Sequence, residues 1–275
     1  MLDDARPAGE VIYASGTMRL AFLSDIHGNP IALDAVLADV QDRGGVDGYW
    51  ILGDLAAIGY DPVTVLERLV TLPNVRIVQG NTDRYVVTGE RPPPTAEDVQ
   101  TNLRLLPQLV EVAQSFAWTQ GYVSAAGWLD WLAALPLEQR ATLPDGTQLL
   151  GVHVGPGQND GFGVNPTLSD EQLGAMCAGC DADLVCVGHT HWPQDRSVDG
   201  VRVVNVGSIS NPLAPDLRAS YVVLEASTAG YHVKHRRVDY DHDAVVAAVE
   251  RSGHPSGSYI SSHFRGQRRP WWVAA

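Results

Sequence analysis

The chain reads as an α/β protein built on a βαβαβ unit. Three observations predict this: apolar runs at Leu20–Leu23, Tyr49–Leu52 and Val75–Val78, amphipathic helical stretches between them, and a polar residue just past each run. With 275 residues and 45% hydrophobic content, the chain can bury a full core, and it is read as one large domain.

Residues 1–17 form an extension with a short strand at Val11–Ala14. The first apolar run leads into Ser24-Asp25-Ile26-His27-Gly28-Asn29, where side-chain alternation along an extended chain would point Asp25 and His27 the same way. Asn29-Pro30 supplies an N-cap and a proline at the first helical position, and Leu33, Val36, Leu37 and Val40 form the buried stripe. Gly44-Gly45 stops that helix, the second strand ends at Gly53-Asp54, Asp61-Pro62 caps the next helix, and the third strand ends at Gly80-Asn81.

From about 84 to 143 the pattern turns helical and reads as a cap inserted over the sheet. Thr95-x-x-Asp98 looks like a capping box, Pro107 should kink the segment after it, and Ser124 should cap a helix carrying Trp128, Trp131, Leu132 and Leu135. Pro144-Asp145-Gly146 marks a hairpin whose second strand ends in His153. Ser169 opens a helix, and the buried strand Asp183–Val187 runs into Gly188-His189-Thr190-His191. Gln194–Val198, Val201–Val206, Ala219–Glu225 and Tyr231–Val238 read as antiparallel strands, followed by a helix over about 241–251. The core domain is thus taken as 18–252. The tail 253–275, rich in Gly, Ser and Arg and carrying Trp271-Trp272, is either disordered or docked on a neighbour.

Nineteen Lys and Arg against 32 Asp and Glu give a net charge of −13, which disfavours a nucleic-acid polymer as partner and leaves a small phosphoester open. No apolar signal core or run of membrane-spanning length stands out, so a cytoplasmic protein without a membrane partner is expected. Cys177, Cys180 and Cys186 read as core cysteines in a reducing compartment.

Each polar pair alone could be a turn or a cap. Together, Asp25, His27, Asp54, Asn81, His153, His189 and His191 gather carboxylates, an amide and four imidazoles at one sheet edge. That set suits two divalent transition-metal ions, Mn, Fe, Zn, Ni or Co. With Asp54 as bridge, one ion would take Asp25, His27, Asp54 and His191, and the other Asp54, Asn81, His153 and His189. Such a pair holds a hydroxide nucleophile and neutralises phosphoryl oxygens.

Asp25-x-His27, Gly53-Asp54, Gly80-Asn81, His153 and Gly188-His189-x-His191 resemble, in order and spacing, the motifs of calcineurin-like metallophosphoesterases, especially the small bacterial phosphodiesterase and phosphatase branch. Gly59-Tyr60-Asp61-Pro62 and Asn205-Val206-Gly207-Ser208 add to the likeness, which spans roughly residues 18 to 240. The resemblance implies a four-layer αββα sandwich and hydrolysis of phosphomono- or phosphodiesters, with Asn81 and His153 positioning the phosphoryl group. One departure is notable: many members carry a His after the Asn of the third motif, thought to protonate the leaving group, and here Thr82 and then Asp83 follow. A preference for aryl esters or phosphoanhydrides, such as dinucleoside polyphosphates, is therefore expected.

Thr82, Asp83, Arg84, Trp192, Gly207 and Ser208 are candidate substrate contacts: Arg84 for phosphate or else an exposed surface arginine, Trp192 as a platform for a base or a structural tryptophan, Gly207 and Ser208 as a simple turn or, as the resemblance implies, backbone near the metal edge. His232, His235, His242, His254 and His263 fit no ligand spacing and read as surface residues. Trp271-Trp272 and the aromatic cap make a homodimer plausible. The competing classes are a non-catalytic scaffold of the same fold, as in a retromer subunit with a degraded metal site, and a nuclease of the same superfamily.

Overall fold

In the computed structural model, which describes residues 11, 12 and 16–273, the chain begins with β1 (Val11–Ile12), β2 (Met18–Leu23), α1 (Pro30–Asp42), β3 (Gly48–Leu52), α2 (Pro62–Leu69), β4 (Arg76–Val78) and α3 (Asn81–Thr88). A helical stretch follows: α4 (Ala96–Thr101), a 3₁₀ turn at Leu103–Leu105, α5 (Leu106–Ala125) and α6 (Leu129–Ala133). Next come β5 (Glu138–Thr142), β6 (Gln148–Val152), α7 (Asp170–Cys177), β7 (Leu184–Val187), β8 (Gln194–Val198) and β9 (Val201–Asn205). The long hairpin β10 (Ala219–Ser227) and β11 (Gly230–Val238) precedes α8 (His242–Ser252) and α9 (Gly257–Phe264). Among the described residues no helix is long and apolar enough to cross a membrane.

The strands make two mixed sheets, one ordered β11-β10-β2-β3-β4 and the other β1-β5-β6-β7-β9-β8. Alternation along the strands divides their side chains between two cores. Ala21, Leu23, Tyr49, Ile51 and Ile77 face the helix layer that includes Leu33, Val36, Val65, Leu66, Phe116 and Leu132. Leu20, Phe22, Trp50, Leu52 and Val78 face the second sheet, meeting Leu149, Cys186 and Val204. On the far side Leu150, Val185, Val187 and Val203 pack against Leu173 and Cys177 of α7. The four layers are therefore helix, sheet, sheet, helix, as the resemblance implied, and all three cysteines are buried and free.

The caps follow the sequence. Asn29 Oδ1 accepts the Ala32 N–H and Asp61 Oδ1 the Thr64 N–H, with a proline opening each helix. Thr95 and Asp98 form the anticipated capping box.

Several expectations are corrected. Pro107 lies in the first turn of α5, where its missing N–H has no intrahelical partner to lose, so it starts the helix instead of kinking it. Ser124 lies inside α5, and Trp128 stands at the start of the short α6. The anticipated strand Val11–Ala14 is seen at Val11–Ile12, and its remainder falls outside the described residues. β9 runs antiparallel to β8 but parallel to β7. The tail is folded back: Ile260 and Phe264 of α9 pack with Val245 and Val249 of α8 and with Tyr60.

Candidate metal centre

β2, β3 and β4 lie side by side, and β6 neighbours β7 in the facing sheet, so their carboxyl ends open on one crevice. The loops there are cross-bonded: Ile26 N and His27 N both donate to Asp54 O at 2.9 Å, Gly188 N to His153 O at 2.9 Å, and Ser210 N to Asp25 O at 3.0 Å. Asp25 and His27 are not on extended chain. Both have left-handed backbone, with φ of 56° and 47°, and so do Asp54 at 56°, His189 at 70° and His191 at 57°. Left-handed non-glycine residues are uncommon, cost of order 1–3 kcal/mol each and cluster at functional sites. The two strand-end glycines make room for this: a Cβ on Gly53 would stand 2.6 Å from Gly80 Cα, and one on Gly80 would stand 2.1 Å from Asp54 Oδ1.

All seven anticipated ligands converge. His191 Nε2 is 3.2 Å from Asp25 Oδ1 and 3.2 Å from His27 Nε2, which in turn is 3.8 Å from Asp54 Oδ2. His153 Nε2 is 3.4 Å from Asp54 Oδ1 and 2.9 Å from Asn81 Oδ1, and His189 Nδ1 is 3.0 Å from that same amide oxygen. The two oxygens of Asp54 thus face different imidazoles, Oδ1 that of His153 and Oδ2 that of His27. Asp25, His27 and His191 form one compact set of donors and Asp25, Asp54 and His153 another, so Asp25 is common to both, while Asp54 Oδ2 reaches the first set only at 3.8 Å from His27 Nε2.

The second ring nitrogens are anchored to main-chain carbonyls. His27 Nδ1 donates to Ala57 O (2.8 Å), His153 Nδ1 to Leu52 O (2.6 Å), His191 Nδ1 to Asn211 O (2.8 Å) and His189 Nε2 to Gly161 O (2.8 Å). A carbonyl only accepts, so each ring keeps a proton on that side and turns its other nitrogen into the crevice, which is how metal-binding imidazoles are oriented.

The protons balance as far as they can. Burial alone would lower the His153 imidazole, but the adjacent Asp54 carboxylate carries it up to about 10; His191 is likewise raised, against burial, by Asp25. His27 and His189 are lowered, first by burial. Burial would raise the Asp54 carboxyl, yet His153, followed by His27 and His189, holds it far below the usual carboxylate range. Asp25 Oδ1 remains buried without a hydrogen-bond partner. Carboxylate, amide and imidazole acceptors with so few donors among them are what a divalent cation satisfies, so the residues fit the metal chemistry.

The candidate substrate contacts are placed differently from one another. Thr82 lines the crevice, and its amide donates to Asp54 Oδ1 at 2.9 Å. Asp83 is fully buried and does not line the crevice. It accepts the N–H groups of Asp54 (2.9 Å), Leu55 (2.9 Å) and Gly80 (3.0 Å), so it holds the loop rather than contacting a ligand. Arg84 is taken up by Glu90, Asp160 and Asn159 and does not line the crevice. Trp192 and Ser208 line a neighbouring cavity, and Gly207 makes the turn before it at φ 77°.

The crevice wall also holds Tyr259 and His263 of α9 and Asn211, none of them anticipated. His254 and His263 are buried, contrary to their reading as surface residues. The crevice-lining residues include none from 84–143, whose helices pack beside α1 and α2, and the C-terminal helix supplies that wall instead. No spacing in the tail signals this, although Asn211-Pro212 follows closely on the Gly207-Ser208 motif.

A profile of the calcineurin-like phosphoesterase superfamily domain matches residues 18–229. The chain belongs to that superfamily. The family is one of metallophosphoesterases that use divalent metals. An uncharacterized protein, MJ0912, of Methanocaldococcus jannaschii is 26% identical over 238 residues, covering 81% of this chain and 88% of its own. Among solved structures, the hypothetical protein PH1004 of Pyrococcus horikoshii superposes with a TM-score of 0.74 at 19% identity, covering 91% of this chain and 99% of its own. A metallophosphoesterase of Sphaerobacter thermophilus gives 0.67 at 23% identity, covering 90% and 100%. These two likenesses concern the fold.

Proposed function

We propose that this phosphoesterase-family chain hydrolyses phosphoesters with two divalent transition-metal ions, one held by Asp25, His27, Asp54 and His191 and the other by Asp54, Asn81, His153 and His189. The observation that carries the reading is the convergence of carboxylate, amide and imidazole acceptors in one buried crevice, where Asp25 Oδ1 makes no hydrogen bond and faces His191 Nε2 at 3.2 Å. When bound, such ions supply Lewis-acid stabilisation of phosphoryl oxygens and activate water as nucleophile.

The chain's own groups hold and orient. Main-chain carbonyls fix all four imidazoles, the Thr82 amide fixes Asp54, and Asn81 and His153 border the place where phosphoryl oxygens would lie. Proton supply to the leaving group is weak. The Thr82 hydroxyl is buried without a partner and does not ionise near neutral pH, and burial, then His191, pushes His263 down to about 3. Leaving groups that depart without protonation, in aryl esters or phosphoanhydrides including dinucleoside polyphosphates, are therefore favoured.

The test is metal analysis with turnover of bis-p-nitrophenyl phosphate, repeated on Asp54→Asn. Wild type should carry metal and turn over, and the variant should lose both. A metal-loaded wild type that cleaves no ester refutes the proposal. The leaving-group preference fails if Thr82→His gains nothing on alkyl relative to aryl phosphates.

A further inference from the structure

Next to the metal crevice lies a second cavity, of about 220 Å³, and His191 lines both. Trp192 and Pro193 form part of its apolar wall, while Ser208, Asp216, Arg218 and Arg237 supply its polar part. The turn at Gly207 closes this wall, since a Cβ there would stand 2.7 Å from both Pro193 Cγ and Ser220 Cβ. Trp272 from the C-terminal segment packs edge-on against Trp192, with centroids 6.1 Å apart and planes at 88°.

Among the residues lining this cavity two guanidiniums face one carboxylate, and Asp239, outside the lining, also acts on Arg218. Asp216 accepts Arg218 Nε at 2.9 Å and Nη2 at 2.8 Å, and it accepts Arg237 Nε at 3.1 Å. One carboxylate thus serves two guanidiniums. Arg218 holds the Asp216 carboxyl down to about 2, so it is charged throughout the neutral range and the trio carries a net positive charge. Among the described residues, Nη1 and Nη2 of Arg237 and Nη1 of Arg218 have no hydrogen-bond partner. Guanidinium N–H groups left over in this way suit a phosphoryl group, which accepts paired hydrogen bonds in the same plane. The chain as a whole carries −13, so a cationic cavity sharing an imidazole with the metal crevice is not a sample of a generally basic surface.

We propose that this cavity is a subsite for a second phosphoryl group of the substrate. One phosphoryl group sits at the metal centre, the next reaches past His191 to Arg218 and Arg237, and Trp192 flanks whatever joins them. Substrates are then phosphoanhydrides, or phosphoesters whose substituent bears another phosphate. The choice of substrate rests on the hydrolase reading; the anion site does not.

The test compares two probes on the full, metal-loaded chain by calorimetry: inorganic phosphate, which can fill only one position, and methylenebisphosphonate, which can span both and cannot be hydrolysed. Wild type should prefer the bisphosphonate by at least about tenfold, the worth of a charge-assisted hydrogen bond. Arg237→Gln and Arg218→Gln should bring the ratio toward one. Asp216→Asn frees both guanidiniums and should raise the ratio, a gain that misfolding cannot produce. A wild-type ratio near one, or variants that leave it unmoved, overturns the subsite. Lack of turnover of bis-p-nitrophenyl phosphate overturns the hydrolase reading instead, and the affinity ratio still decides the subsite.

Discussion

Replacing Asp83 by alanine should damage the protein more than its absence from the ligand set suggests. Its carboxylate has no solvent exposure and is the acceptor for three main-chain N–H groups, those of Asp54, Leu55 and Gly80. Alanine strands all three where little water reaches. A buried donor without a partner costs about 1–3 kcal/mol. Some of that is returned because burial, and then the Asp54 charge, already pushes the Asp83 carboxyl up, so removing it relieves a desolvated group. A net loss of roughly 3–6 kcal/mol follows, against a usual domain stability of roughly 5–15 kcal/mol. An asparagine at this position keeps the shape and one oxygen but turns an NH₂ group toward at least one N–H, so Asp83→Asn should cost about 1–3 kcal/mol. Urea unfolding in chelator, followed by tryptophan fluorescence, measures both without any contribution from bound metal. An Asp83→Ala midpoint equivalent to less than about 1 kcal/mol of loss, or an asparagine variant weaker than the alanine one, would refute the claim that these three bonds hold the Asp54 loop.

Other outcomes follow from the same geometry. Gly80→Ala puts a Cβ 2.1 Å from Asp54 Oδ1, so metal affinity should fall about 10–100-fold or more, read by competition with a chromophoric chelator. His153, raised to about 10 by Asp54 against burial, keeps a proton at neutral pH that a cation must displace, and Asp25 shifts His191 in the same direction against burial. Metal affinity should therefore rise with pH between about 6 and about 9 with net proton release, and calorimetry in buffers of different ionisation enthalpy would expose a flat response as contrary. Thiol reagents at neutral pH should label none of the three buried cysteines in the folded chain and all three after unfolding, since burial pushes the Cys177 thiol up to about 11 and Cys186 further still.

The converging set was legible because its members follow closely on short apolar runs, and a parallel arrangement brings the ends of such runs to one edge. Asp25, Asp54 and His153 could be chosen on that ground alone. Their orientation had another cause than the one read from sequence: Asp25 and His27 do point together, with His27 Nε2 3.8 Å from Asp25 Oδ1, but through left-handed backbone rather than strand alternation, and the carbonyls of Ala57, Leu52, Asn211 and Gly161 set the rings of His27, His153, His191 and His189. Arg84 shows the converse. Next to Asn81 and Asp83 in sequence, it looked like a phosphate contact, and the return of Asp160 from a distant loop engages it elsewhere.

Sequence by itself determined the α/β class, the helix caps at Asn29 and Asp61, and the identity of the seven converging side chains, because these depend on local periodicity and on residues adjacent to strand ends. Tertiary structure alone decided that α9 forms a wall of the crevice, that His263 is buried there, that Asp83 serves the backbone, and that Arg218 and Arg237 share one carboxylate beside His191. Each of those depends on at least one contact between segments far apart along the chain, such as Asp83 with Asp54 or Arg237 with Asp216. They are chosen by which surfaces pack, a choice that no short stretch of residues contains.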